Sequence, residues 1–159
     1  MGWVIGPGSW MKKFIVISLL LVLLASVLAI RLARPDVSPR SVTGEWVSEY
    51  VSAAYLDRHS LDRESFTSRL VLREDGSFEA YQVPWSGNSP PWSGTGTWSF
   101  HTKTTPAPDG KPMIYLESRN APEVMGNWIH VGQTTLGEER LFYRYGHSYD
   151  LRMDYRKAK

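Results

Sequence analysis

Four histidines (His59, His101, His130 and His147) and sixteen carboxylates are the residues of this 159-residue chain that could bind a metal or move a proton. No two histidines stand at His-x-His or His-Glu-x-x-His spacing, the arrangements that bring two imidazoles to one face for chelation. They read as surface or strand-pairing residues. Glu138 with Glu139, or Asp150 with Asp154, are the pairs that could divide general-acid and general-base work. The second pair shares a face at i, i+4 but interleaves with Arg152 and Arg156, the pattern of ion pairing across or along strands. The chain has no cysteine, which removes disulfides, thiolate zinc sites, a cysteine nucleophile and a lipidated cysteine. A serine-nucleophile motif, a phosphate loop and a Rossmann fingerprint are also missing. The expectation is a protein that is not an enzyme and uses no metal or cofactor.

Binding residues are more visible. Pro84 to Gly94 reads PWSGNSPPWSG and repeats Pro-Trp-Ser-Gly, at Pro84–Gly87 and Pro91–Gly94. Three prolines, two glycines and an asparagine in so short a stretch predict a loop instead of a regular strand. Loops run over the surface, so Trp85 and Trp92, with Ser86 and Asn88 beside them, form the first candidate site. Indoles there could stack on a sugar ring, anchor a protein partner, or fold back as a small core. Tyr143 and Tyr145, with Tyr149 and Tyr155, could line an interior pocket, although aromatics at strand spacing also fill cores.

What holds these residues in place begins with an apolar run, Phe14 to Ile30, which carries no charge and is flanked by Lys12, Lys13, Arg31 and Arg34. At 1.5 Å per residue such a helix spans about 25 Å, against roughly 30 Å of hydrocarbon. It fits a transmembrane anchor, and with Met11-Lys12-Lys13 as a possible start it also fits a signal peptide cleaved after Val27-Leu28-Ala29. The flanking cations balance, so orientation follows from the usual behaviour of signal anchors, which deliver the chain behind them across the membrane. The expected organisation is tail and anchor over residues 1–34, linker over 35–40 and one β domain over 41–159. The domain would sit in a bacterial envelope, anchored in the inner membrane and facing the periplasm, or secreted if the signal is cut. The formal charge of +2 conceals a split. Beyond residue 34, fourteen Lys and Arg face sixteen Asp and Glu, which argues against nucleic acid as a partner.

The body alternates at period 2. Strands are expected at Ser41–Val47, Ser68–Arg73, Phe78–Val83, Thr95–Thr102, Met113–Ser118, Trp128–Gln133 and Glu139–Tyr145. One short helix is expected within Glu49–Ser65. Turns are expected at Glu74–Ser77, at Pro106–Lys111 (both with Asp-Gly) and at Gly146–Ser148. The final segment is the clearest, with Tyr149, Leu151, Met153 and Tyr155 alternating with Asp150, Arg152, Asp154 and Arg156. The fold class is mainly β: an antiparallel up-and-down barrel or strongly curled meander of about eight strands, since closure removes unpaired edges.

Gly44-Glu45-Trp46 is similar to the Gly-x-Trp of lipocalin and wider calycin barrels. Leu70-x-Leu72-x-x-Asp75-Gly76-x-Phe78 followed by Gly96-Thr97-Trp98 resembles the strand-turn-strand pattern of small bacterial lipocalin-like domains. The resemblance covers most of Val42 to Arg156. It implies a barrel that binds something, with Trp46 closing its floor and Arg152 as the late-strand arginine packed on that ring. The expected function is a non-enzymatic extracytoplasmic binding module for a small apolar ligand or a protein partner, for example of the immunity or inhibitor type. The alternative is a glycan- or envelope-interacting protein using Trp85 and Trp92 as stacking platforms.

Overall fold

The computed structural model describes residues 8–32, 37–85, 89–102, 111–122, 127–134, 137–145 and 151–159. The chain divides into two compact units, Met1–Asp36 and Val37–Lys159.

The first unit contains one helix, α1 (Gly8–Leu32). Its described side chains, those of residues 13–27 and 29, are all exposed, Phe14 and Leu24 among them. Among the described residues no helix is long and apolar enough to cross a membrane.

The second unit is a closed antiparallel barrel of eight strands in sequence order. They are β1 (Gly44–Val51), β2 (Arg69–Leu72), β3 (Ser77–Pro84), β4 (Pro91–His101), β5 (Met113–Glu117), β6 (Asn127–Gln133), β7 (Glu139–Tyr145) and β8 (Leu151–Lys157). Each strand pairs with its neighbour in sequence, and β1 pairs with β8 to close the ring. This architecture is compatible with a lipocalin-like fold. Among the described residues two short helices accompany it, α2 (Pro39–Val42) and α3 (Ala53–Arg58), the second lying within the expected helical stretch.

The linker expected over residues 35–40 ends sooner than its two prolines suggest. Ser38 caps α2 in a reciprocal box with Ser41, and Pro39 occupies the first turn, where its missing N–H costs nothing. Ser41 and Val42 therefore belong to a helix, and the first strand opens at Gly44. Val42 is buried, and its carbonyl accepts the indole N–H of Trp46 at 2.8 Å. Trp46 is thus held at the barrel end that α2 covers. The cation over its ring is not Arg152 but Lys157, 5.7 Å from the centroid. The register explains the exchange: Lys157 lies directly opposite Trp46, whereas Arg152 is paired with Arg144 farther up the barrel.

The alternation at the end of the chain appears as expected over the described residues. Leu151, Met153 and Tyr155 are buried, while Arg152 and Asp154 on the outer face form an ion pair through two hydrogen bonds. Tyr149, Asp150 and the Gly146–Ser148 turn lie outside the described residues, as does the expected turn at 106–111 apart from Lys111. At the β2–β3 turn Asp75 accepts from the amide and hydroxyl of Ser77, which holds its carboxyl below the usual carboxylate range.

Candidate functional site

The Pro84–Gly94 stretch is strand at both ends, contrary to the loop expected there. Pro84 closes β3, Pro91–Gly94 opens β4, and the two prolines face each other in register. Proline is tolerated at these positions because they sit at the mouth of a hairpin, where a ladder donor can be spared. A register shift between Ala80 and Val83, with Gln82 at φ 51°, places Val83 opposite Trp92. Both side chains then join the core.

Trp85 and Trp92 are accordingly core residues, 2% and 9% exposed, and not surface platforms. Their rings lie 4.6 Å apart, and both contact Phe78. The Trp92 indole N–H donates to the Asn120 carbonyl at 3.2 Å. Gly94 leaves the space this ring occupies, since a Cβ there would sit 2.2 Å from it. Gly96 does the same for Phe78, whose ring would lie 2.6 Å from an added Cβ. The second Ser-Gly of the repeat therefore seats an indole. Ser86 and Asn88 lie outside the described residues.

Tyr143 is fully buried, its ring 5.8 Å from that of Tyr155; for Tyr145 only the backbone in β7 is described. With Trp46, Leu70, Leu72, Ile114, Leu116, Ile129, Leu141 and Met153 also buried, the barrel interior is packed with side chains. Eight strands enclose a space just wide enough for that.

Tyr155 shares a 2.6 Å hydrogen bond with Ser68, and the buried Tyr55 hydroxyl has no hydrogen-bond partner among the described residues. Burial pushes both phenols above their ordinary range, against a smaller downward pull from Ser68 on Tyr155. A folded pKa raised above the unfolded value of about 10 contributes stability that is whole below that pH and lost above it. Tyrosinate absorbance should therefore rise in two stages, the second coinciding with loss of the far-ultraviolet β signal. Tyr155→Phe should make the alkaline loss of stability shallower. Complete tyrosine titration near pH 10 in a folded barrel would contradict this.

Among the described residues no group of three or more His, Asp or Glu could hold a metal. A hydrogen bond of 2.8 Å joins the Ser99 hydroxyl to His101 Nε2, a contact that resembles a nucleophile and its base. The imidazole, however, packs edge-on against Trp128, 5.2 Å away, and among the described residues no hydrogen bond orients its other nitrogen. Among the described residues the pair has no third group of the kind such chemistry uses. A groove of about 430 Å³ at the α2 end is lined by Glu49, Glu138, Arg140 and Lys157 among others. Arg140 there is committed to Glu49 and Glu138, at 2.5 and 3.2 Å.

The feature that the sequence reading missed is an aromatic row on the outer face. Tyr115 and Trp128 are opposite each other on β5 and β6, rings 4.7 Å apart. Next around the barrel, Phe142 of β7 lies opposite His130 on one side and Asp154 on the other. Arg152 stands 5.7 Å over the rings of both Phe142 and Tyr50, and Arg144 stands equally far from Phe142. Tyr50 is 48% exposed; Tyr115, Trp128 and Phe142 are half-buried. The clue was parity. Ile114 and Leu116 fix the inward face of β5, Ile129 and Val131 that of β6, and Leu141 and Tyr143 that of β7. Tyr115, Trp128 and Phe142 are the aromatic residues left on the wet side. Set against known proteins, the chain matches no family model, no curated protein and no solved structure.

Proposed function

We propose that the barrel is a non-enzymatic binding module that engages a protein partner through the outer face of β5 to β8 and β1. The observation that carries this is the division of its aromatic residues. The rings inside fill the barrel, while Tyr115, Trp128, Phe142 and Tyr50 stand outside with Arg144 and Arg152 among them. Tyr, Trp, Phe and Arg are the side chains that dominate the centres of protein interfaces. A small apolar ligand inside the barrel would have to displace packed rings. A glycan reading has no platform at Trp85 and Trp92 once these are buried. An inhibitor- or immunity-type protein in a bacterial envelope is the concrete form of this reading, and it continues the lipocalin-like resemblance. Residues 14–30 tether it to the membrane with the barrel on the extracytoplasmic side. The uninterrupted apolar run and its flanking cations support that tether.

The test is capture of a partner from envelope extract by the full chain, followed by the pair of substitutions Trp128→Ala and Phe142→Ala. Each ring should contribute about 2 kcal/mol at the centre of such a face, roughly thirtyfold in Kd. The thermal midpoint should move little, because neither ring is in the core. A partner held with undiminished affinity by the double variant would remove this face from the account.

A further inference from the structure

Strand β1 changes face partway along, and the change is local. Ser48 is opposite Tyr155, whose ring is in the core. Tyr50, two residues later, should point inward as well. Instead a register shift between Ser48 and Tyr50 inserts Glu49 as an extra residue, and Tyr50 comes to lie opposite Asp154 on the outer face. Val51, opposite the buried Met153, is inward again. A bulge of this kind re-aims a side chain. Here it takes an aromatic ring out of the core and leaves it 48% exposed.

The re-aimed ring has a setting on each side. Towards β8 stands the Arg152 guanidinium, fixed by Asp154. Elsewhere Tyr50 forms a wall of a pocket of about 190 Å³ with Val51, Leu56 and Phe66, and Arg63 and Glu49 also line it. That volume is below the roughly 300–1,000 Å³ of small-molecule sites, and it suits one side chain. The charges in the pocket are unequal in availability. Glu49 is held by Arg140, whereas Arg63, exposed on the turn after α3, makes no ion pair among the described residues.

We propose that this pocket receives one large apolar side chain of a partner protein, with a carboxylate adjacent to it in the partner's chain resting on Arg63. The proposal rests on the reading of the outer face as a protein-docking surface and names its anchor point. Tyr50 supplies the rigid wall, Leu56 and Phe66 the apolar lining, and Arg63 the discrimination in favour of an acidic neighbour.

A random peptide library displayed on phage and selected on the full chain in detergent micelles tests it. The enriched peptides should carry Leu, Ile, Met or Phe next to Asp or Glu. Tyr50→Ala and Arg63→Glu should each weaken a selected peptide at least tenfold, and Arg63→Lys should retain most of the binding. Both positions are exposed, and unchanged melting of Arg63→Glu separates lost binding from lost fold. Enrichment of peptides without a carboxylate, affinity indifferent to Tyr50→Ala, or no enrichment at all overturns the proposal. Peptides or a captured protein that respond to Trp128→Ala and Phe142→Ala but not to Tyr50→Ala overturn this pocket and leave the outer-face reading standing. A captured protein indifferent to all of these substitutions overturns both.

Discussion

Replacing Trp46 by alanine should destabilise the barrel by about 3–5 kcal/mol, the range for emptying a buried indole, and lower the thermal midpoint by roughly 15 °C. Burial and two specific contacts fix this ring. It is wholly buried, its N–H is spent on the Val42 carbonyl, and Lys157 lies over it. Lys157 in turn donates to the Ser41 carbonyl at 2.8 Å, so α2, β1 and β8 are joined at one place. Removing the indole opens a cavity and also takes away one of the ties on α2, leaving the buried Val42 and the Lys157–Ser41 hydrogen bond to hold it. Trp46→Phe should recover most of the packing but not the hydrogen bond, and so fall between wild type and alanine. Chemical denaturation of the three proteins checks the order. A loss below about 1 kcal/mol for alanine would mean that this end of the barrel is closed by something else.

Gly96→Ala should be the most damaging substitution per atom added. A single Cβ at this position would lie 2.1 Å from the carbonyl oxygen of Glu117 and 2.6 Å from the ring of Phe78. The ring could turn aside, but the carbonyl belongs to the neighbouring strand and can move only if the β4–β5 pairing gives way. Overpacking of this kind costs about 1–3 kcal/mol, and the upper end is expected because the nearest atom is backbone. The readout is the denaturation midpoint together with the near-ultraviolet dichroism of the tryptophans, since Phe78 carries Trp85 and Trp92 with it. Gly137→Ala is the control. Among the described residues an added Cβ there has nothing within 4 Å, so only the strain of a side chain at φ +85°, about 1–2 kcal/mol, opposes alanine, and the near-ultraviolet signal should stay unchanged.

The strands were legible because one face of each is wet. Leu151, Met153 and Tyr155 against Arg152 and Asp154 need nothing beyond period 2, and the Glu74–Ser77 turn needed little beyond Asp-Gly. The two bulges were not legible. Glu49 in β1 and the shift before Val83 in β3 each reverse which residues point inward, and nothing in a local pattern marks an inserted residue. That is why Tyr50 is absent from the expected site residues; Trp85 and Trp92 were expected at the surface because their stretch reads as a loop. Proline and glycine in PWSGNSPPWSG speak of loops when read singly. In the barrel the prolines face each other at a hairpin mouth, and Gly94 makes room for a neighbouring ring. Composition could not distinguish these uses, because the ring that needs the space is identified only by the fold.

The ring of strands is joined where β1 meets β8, and the Ala158 amide adds a last hydrogen bond to the Glu45 carbonyl. These partners are separated by almost the whole length of the domain, so loop-closure entropy falls on one late event. Seven of the eight strands can be present while the sheet is still an open ribbon with two bare edges. The chain therefore keeps open edges, and stays vulnerable to sticking, until Leu151–Lys157 is in place. After that a single zipping step commits it.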